Sequence, residues 1–224
     1  MNQPQSTVPA AKPGLVLVML LIVYTFNFLD RQILSILAQP VKTELGLSDT
    51  QMGALGGLAF AIFYSTLAIP LGLIADRKGR SGVIAISLVV WSGFTALCGM
   101  AGNFMQMFLF RLGVGVGEAG GVAPSYALIS EYFPPEKRGR AIAIYSLGIP
   151  LGTALGAFFG AAIAQAVNWR AAFLALGVAG VLFALPFRWL VKEPVRVANP
   201  DAPPPAAVFR HLASQPAFWL MSFG

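Results

Sequence analysis

Four ionisable residues stand where the sequence is otherwise apolar. Asp30 and Arg31 lie inside the stretch 15–38, and Arg111 and Glu118 lie inside 105–133. Arg111 and Glu118 are seven residues apart. That is nearly two helical turns, so on a helix both face the same way. Arginine keeps its proton at any ordinary pH, whereas a carboxyl group can gain or lose one. Burial raises a carboxyl pKa and a neighbouring guanidinium lowers it. A movement that changes the distance between the two therefore takes up or releases a proton.

The elements that position these residues are set by composition. Of 224 residues, 57% are hydrophobic and 11% charged, against roughly 25% charged in soluble domains. A polytopic all-α integral membrane protein is expected. Apolar stretches fall at 15–38, about 50–75, 81–101, 105–133, 140–167 and 169–191. Each has about the 20 residues needed to cross the hydrocarbon core as a helix. Lys42 and Glu44 continue the first stretch, and Ser48-Asp49-Thr50 reads as a helix start. Residues 1–14 are expected to be a disordered cytoplasmic tail, 192–210 a cytoplasmic linker, and 211–224 the truncated start of a seventh helix. One cysteine and one histidine leave no metal cluster and no internal disulfide. No cofactor is expected, and no serine–histidine constellation or phosphate loop suggests an enzyme. The net charge of +6 is spread over short loops, which argues against nucleic acid.

Charge placement gives the orientation. Lys12, the 77–80 and 137–140 loops and the basic residues from Arg188 to Arg210 hold 11 of the 15 Lys and Arg on the N-terminal side. Lys42 and Arg170 lie opposite. Basic loops stay inside, so the N-terminus is expected in the cytoplasm, with the bacterial inner (plasma) membrane as the setting. The first and fourth stretches each carry a buried charge pair. The loops after the second and fourth are both basic with a Gly-Arg step. A 3+3 inverted repeat follows, as in many transporters.

Gly72-x-x-x-Asp76-Arg77-Lys78-Gly79-Arg80 is the most specific motif. It resembles the loop between the second and third helices of the major facilitator superfamily, with Ser81 replacing the usual last basic residue. Arg111-x-x-x-Gly115 resembles the fourth-helix motif of that family. Pro134, Arg138, Gly139 and Ala141 resemble its following loop, and Trp169-Arg170 with Phe173 the start of its sixth helix. Asn27-Phe28-Leu29-Asp30-Arg31, with Arg111 and Glu118, resembles the Spinster-like branch, which is associated with proton-linked export of lysolipids and sphingoid phosphates. The resemblance implies the N-terminal six-helix half of a secondary transporter, completed by a C-terminal half. Its substrate would be an amphipathic or anionic small molecule, lipid-like or a small organic anion. A receptor or scaffold would need no gating charges in the 76–80 loop.

Asp30, Arg31, Arg111 and Glu118 are the expected proton-coupling and substrate residues. At 1.5 Å per residue, Asp30 and Arg111 fall at about the same depth and Glu118 about 10 Å further in. An Asp30–Arg111 pair is therefore expected, with Glu118 as a second carboxylate. Tyr24, Phe26, Asn27, Tyr64, Tyr126 and Tyr145 are candidates to line the cavity. Gly72, Asp76, Arg77, Gly79, Arg80, Glu131 and Arg138 form the expected cytoplasmic gate, with Glu131 as partner of its basic residues. Trp169 and Trp189 are expected as interfacial anchors. Gly115-x-Gly117-x-x-Gly120 has the spacing of a dinucleotide fingerprint, but it lacks the strand that motif requires. Close helix packing explains it better. Gly148, Gly152, Gly156 and Gly160 line one face of a helix that Pro150 should bend. They are expected to pack inside the bundle, with dimerisation as the alternative.

Overall fold

A computed structural model describes residues 12–194 and, beyond them, 210, 211, 213–216 and 219. Most of the expected tail, most of the linker and most of the seventh helix therefore lie outside the described residues, and the end of the expected tail, Pro13 and Gly14, belongs to the first helix instead. The chain divides into two compact units, residues 8–194 and residues 1–7 with 195–224. In the smaller unit, the Ser214 amide closes a helical turn on the Arg210 carbonyl at 3.1 Å.

Ten helical segments are present among the described residues: α1 (Pro13–Ile36), α2 (Ala38–Leu45), α3 (Asp49–Gly56), α4 (Leu58–Lys78), α5 (Arg80–Cys98), α6 (Phe104–Glu118), α7 (Val122–Tyr132), α8 (Pro135–Ser146), α9 (Gly148–Ala166) and α10 (Trp169–Leu190). Several ends are written in the sequence. Ser48 and Gln51 form a capping box on α3. The Asn103 side chain caps α6, and Asn168 caps α10. Each accepts from an amide left without a partner at a helix start.

Six spans were the expectation, and several of these stretches are interrupted in the structure. Among the described residues, four helices are long and apolar enough by length and composition to cross a membrane: Pro13–Ile36, Arg80–Cys98, Pro135–Ala166 and Trp169–Leu190. The second stretch is divided at Gly57 into α3 and α4, and the fourth at 119–121 into α6 and α7. Proline accounts for the second of these breaks, because it cannot donate to the carbonyl four residues back and clashes with it. Pro124 stands four residues after Gly120. Pro40 and Pro150 stand three residues after the interruptions at Leu37 and Leu147. The bend expected from Pro150 thus falls one turn before the proline itself.

The glycine stripe of α9 packs inside the bundle. Gly148, Gly152 and Gly156 lie against Tyr24, Thr25, Phe28 and Leu29 of α1. A Cβ on Gly152 would come closer than 3.0 Å to the Thr25 carbonyl and the Phe28 Cβ. The fingerprint-like glycines also pack: Gly115 against Phe60, Gly117 against Trp91 and Gly120 against Ser87.

Candidate functional site

α1 and α6 carry the four charges to one buried place. Asp30 and Glu118 are fully buried and Arg111 is 4% exposed. The ion pair is Arg31 with Glu118, Nε to Oε2 at 2.6 Å. The expected Asp30–Arg111 ion pair is corrected. Arg111 Nη1 instead donates to the Asp30 backbone carbonyl at 3.3 Å. Depth along two straight helices carries no information about direction around them. Successive residues on a helix point about 100° apart. Asp30 turns its carboxyl toward Trp91 and Thr95 of α5, and the Arg111 charge acts on it. Arg31 then points toward the end of α6, where Glu118 is the last helical residue. The C-terminal end of a helix dipole favours a cation there.

Arg31 is not sealed in. Its side chain is 29% exposed while that of Glu118 is 0%. Its guanidinium lies over three rings, Phe28 at 5.3 Å, Phe60 at 5.1 Å and Tyr64 at 4.8 Å. Cation–π attraction strengthens as water is removed. Arg31 is therefore a cation held between a carboxylate and an aromatic wall, with one side accessible.

Around this pair, polar atoms exceed their protein partners. Both Asp30 carboxyl oxygens, Glu118 Oε1, Arg111 Nε and both ends of the Asn27 amide are buried with no partner at full hydrogen-bond geometry among the described residues. So are Trp91 Nε1, Ser92 Oγ and Thr95 Oγ1. Buried polar groups are normally paired, and exceptions concentrate at functional places. Trp91 and Thr95 were missed by the sequence reading. Their signal was present: Ser87, Trp91 and Thr95 recur every four residues and all three are buried.

The cavity-lining candidates divide. Tyr64 faces Arg31, and Asn27 is 2% exposed beside Glu118. Tyr126 is 37% exposed. Tyr145 is corrected to a core residue, 1% exposed and stacked on the buried Tyr24 at 4.3 Å between centroids. Phe26 packs on Phe183.

At the end of the bundle where α4 meets α5, Asp76, Arg80 and Glu131 come together. Arg80 bonds Asp76 at 2.7 Å and pairs with Glu131 of α7. Gly79 makes the turn with φ of 104°, a conformation that L side chains rarely adopt. Arg138 Nε donates to the Phe133 carbonyl at 3.0 Å. Arg77 is exposed, and nothing lies within 4 Å of where a Cβ on Gly72 would stand. Glu193 was missed. Its carboxylate accepts the first two amides of α5, Arg80 N at 2.9 Å and Ser81 N at 2.8 Å. Tyr132 donates to the neighbouring Lys192 carbonyl at 2.6 Å. The start of the expected linker is thus tied to the bundle.

The opposite end has its own latch. Arg170 reaches Glu44 at 2.9 Å and the carbonyls of Gly99 and Ala101. Trp169 donates its indole N–H to the same carboxylate. Trp169 is therefore corrected from interfacial anchor to a 3% exposed latch residue, while Trp189 is 74% exposed. The hydrogen bond from Trp169, then that from Arg170, holds the Glu44 carboxyl below its ordinary value.

The sequence profile of the Major Facilitator Superfamily matches residues 20–224. The chain belongs to that superfamily. The chain is 36% identical over 184 residues to an MFS-type efflux pump of Mycolicibacterium smegmatis, covering 82% of this chain and 42% of the pump. It is 31% identical over 188 residues to the hexuronate transporter of Bacillus subtilis, covering 84% of this chain and 44% of that protein. Its fold superposes on the crystal structure of a bacterial homolog of the human lysosomal transporter Spinster, inward-facing and unoccupied. The TM-score is 0.81 at 33% identity, over 94% of this chain and 51% of the other. The chain thus spans about half or less of the proteins it matches. It has the fold of the N-terminal half of a major facilitator protein, and its relatives are transporters rather than enzymes.

Proposed function

We propose that the chain is the N-terminal half of a proton-coupled secondary transporter for an anionic amphipathic molecule, a lysolipid or sphingoid-type lipid. The observation that carries this reading is Arg31, paired to buried Glu118, ringed by Phe28, Phe60 and Tyr64, and 29% exposed. With both carboxyls ionised, Asp30, Arg31, Arg111 and Glu118 sum to zero charge. One proton on either carboxyl leaves a net positive charge, which a substrate anion neutralises. Uncompensated charge is costly away from water, so proton and anion are favoured together. The rings suit an apolar tail beside the headgroup. A second half of the protein faces this one, with substrate between them near the midplane and both halves rocking. The N-terminus is cytoplasmic, the membrane is the bacterial inner membrane, and the Asp76–Arg80–Glu131 cluster is the cytoplasmic gate.

A second reading, a small organic anion, is favoured by the likeness to the hexuronate transporter. The test is reconstitution of the full-length protein in liposomes with an imposed proton gradient. The panel includes a lysophospholipid, a sphingoid phosphate and a hexuronate. Asp30→Asn and Glu118→Gln are expected to abolish gradient-driven movement. Unchanged pH dependence in both variants refutes proton coupling, and movement of hexuronate alone selects the second reading.

A further inference from the structure

α5 and α10 pack closely where the glycines of α10 meet α5. Gly177 and Gly180 press their backbone on Ser92 and Ala96, where a Cβ would have no room. Toward the first turn of α5 and the last turn of α10 the facing residues Gly82, Ala85 and Ala184 are small. A groove of ≈ 590 Å³ opens there, walled by Ile86, Val89, Leu182 and Leu185, with Arg188 at its end. This volume falls within the ~300–1,000 Å³ of ordinary ligand sites. Its floor is low because Gly82, Ala85 and Ala184 are small, and nothing lies within 4 Å of a Cβ on Gly82.

The groove faces away from the charged site. On α5, Ser87, Trp91 and Thr95 are buried toward Asp30, while Ile86 is 66% and Val89 42% exposed on the other face. On α10, Gly180, Ala184 and Phe187 point inward, while Leu182 and Leu185 are 60% and 59% exposed.

Its polarity is one-sided. Arg188 is exposed in the last turn of α10 and makes no ion pair or side-chain hydrogen bond among the described residues. Trp189, beside it, is 74% exposed, as at a membrane boundary. From Arg188 to Val181 the helix rises about 10 Å, all of it apolar along the groove. A cation at the boundary with an apolar channel running inward matches one amphiphile, a lipid with an anionic headgroup.

We infer that the α5–α10 groove is a binding site for an anionic glycerophospholipid of the surrounding leaflet, with one acyl chain between Ile86 and Leu185 and the phosphate on Arg188. This site is separate from that of the transported molecule. A second copy of the chain fits less well. It would need a carboxylate for Arg188 and a contact of about 800 Å² per partner, far wider than the groove.

The test uses the full-length protein and native mass spectrometry, titrated separately with dioleoylphosphatidylglycerol and dioleoylphosphatidylcholine. The wild type is expected to retain one tightly held phosphatidylglycerol. Arg188→Gln weakens that lipid about five-fold, the factor for one basic side chain at an anionic surface, and leaves phosphatidylcholine unchanged. Gly82→Leu, which fills open space, displaces both. Equal phosphatidylglycerol retention by the wild type and either variant overturns the inference. So does an equal loss of both lipids in Arg188→Gln. A dimer of the wild type that Gly82→Leu dissociates also overturns it and assigns the face to self-association.

Discussion

Removing one member of the Arg31–Glu118 pair should cost far more than removing both. The pair is 2.6 Å long, with Glu118 fully buried and Arg31 mostly so. Deleting one partner of a buried pair costs about 3–5 kcal/mol, because the other charge stays behind uncompensated. Arg31 keeps 29% exposure and three ring faces, so Glu118→Gln should fall near ~3 kcal/mol. Arg31→Met strands a carboxylate with no exposure, and should reach the upper end of that range. The double variant Arg31→Met/Glu118→Met leaves no charge behind and should recover most of the loss. At about 2–4 °C per kcal/mol for a chain of this size, Glu118→Gln lowers the unfolding midpoint by roughly 6–12 °C. The assay is already in the chain. Cys98 is fully buried, so a thiol-reactive fluorophore in detergent reports unfolding. Single-variant shifts under about 2 °C, or a double variant equal to the sum of the singles, would refute the pairing as a buried, coupled unit.

Other expectations follow from the same geometry. Gly152→Leu forces α9 off Thr25 and Phe28 of α1, an overpacking cost of about 1–3 kcal/mol read in the same melt. Glu193→Ala removes the acceptor for the first two amides of α5 and should cost about 1 kcal/mol, with faster hydrogen exchange at Arg80 and Ser81. The Glu44 carboxyl is held below its ordinary value. Its stabilisation is therefore present above the unfolded-state pKa and lost as pH falls through the lower, folded one. Melting curves of wild type and Glu44→Gln should differ at neutral pH and converge in acid.

The sequence was legible where a property is local. Apolar length and basic loops predict the helices, and Ser48 marks a start that holds, while the caps at Asn103 and Asn168 emerge only in the structure. Pro40, Pro124 and Pro150 mark breaks, although only Pro150 was read that way and its bend falls at Leu147. What was not legible depends on direction around a helix or on distant partners. Asp30 and Arg31 are adjacent, yet one faces α5 and the other the end of α6. Depth alone therefore assigned the wrong partner to Arg111. Glu193 meets Arg80 across 113 residues and Glu44 meets Arg170 across 126. No periodicity encodes either contact. Charged residues outside a membrane core have many available partners, so composition could place them only on a side.

Glycine shapes the bundle in two opposite ways. In α9 it lets the backbone sit on α1 along a continuous face from Gly148 to Gly156. That contact fixes the helix carrying Asp30 and Arg31. In α10, Gly177 and Gly180 bring α5 in, and the Arg188 groove opens beside this contact. The consequences for substitution differ. A larger residue at Gly152 should disturb the charged site through α1, whereas one at Gly82 should fill the groove and leave α1 alone. Comparing the Arg31–Glu118 coupling in Gly152→Ala and Gly82→Ala backgrounds tests this directly. A reduced coupling is expected only in the first, and an equal effect in both would mean that the two faces of the bundle are not mechanically separate.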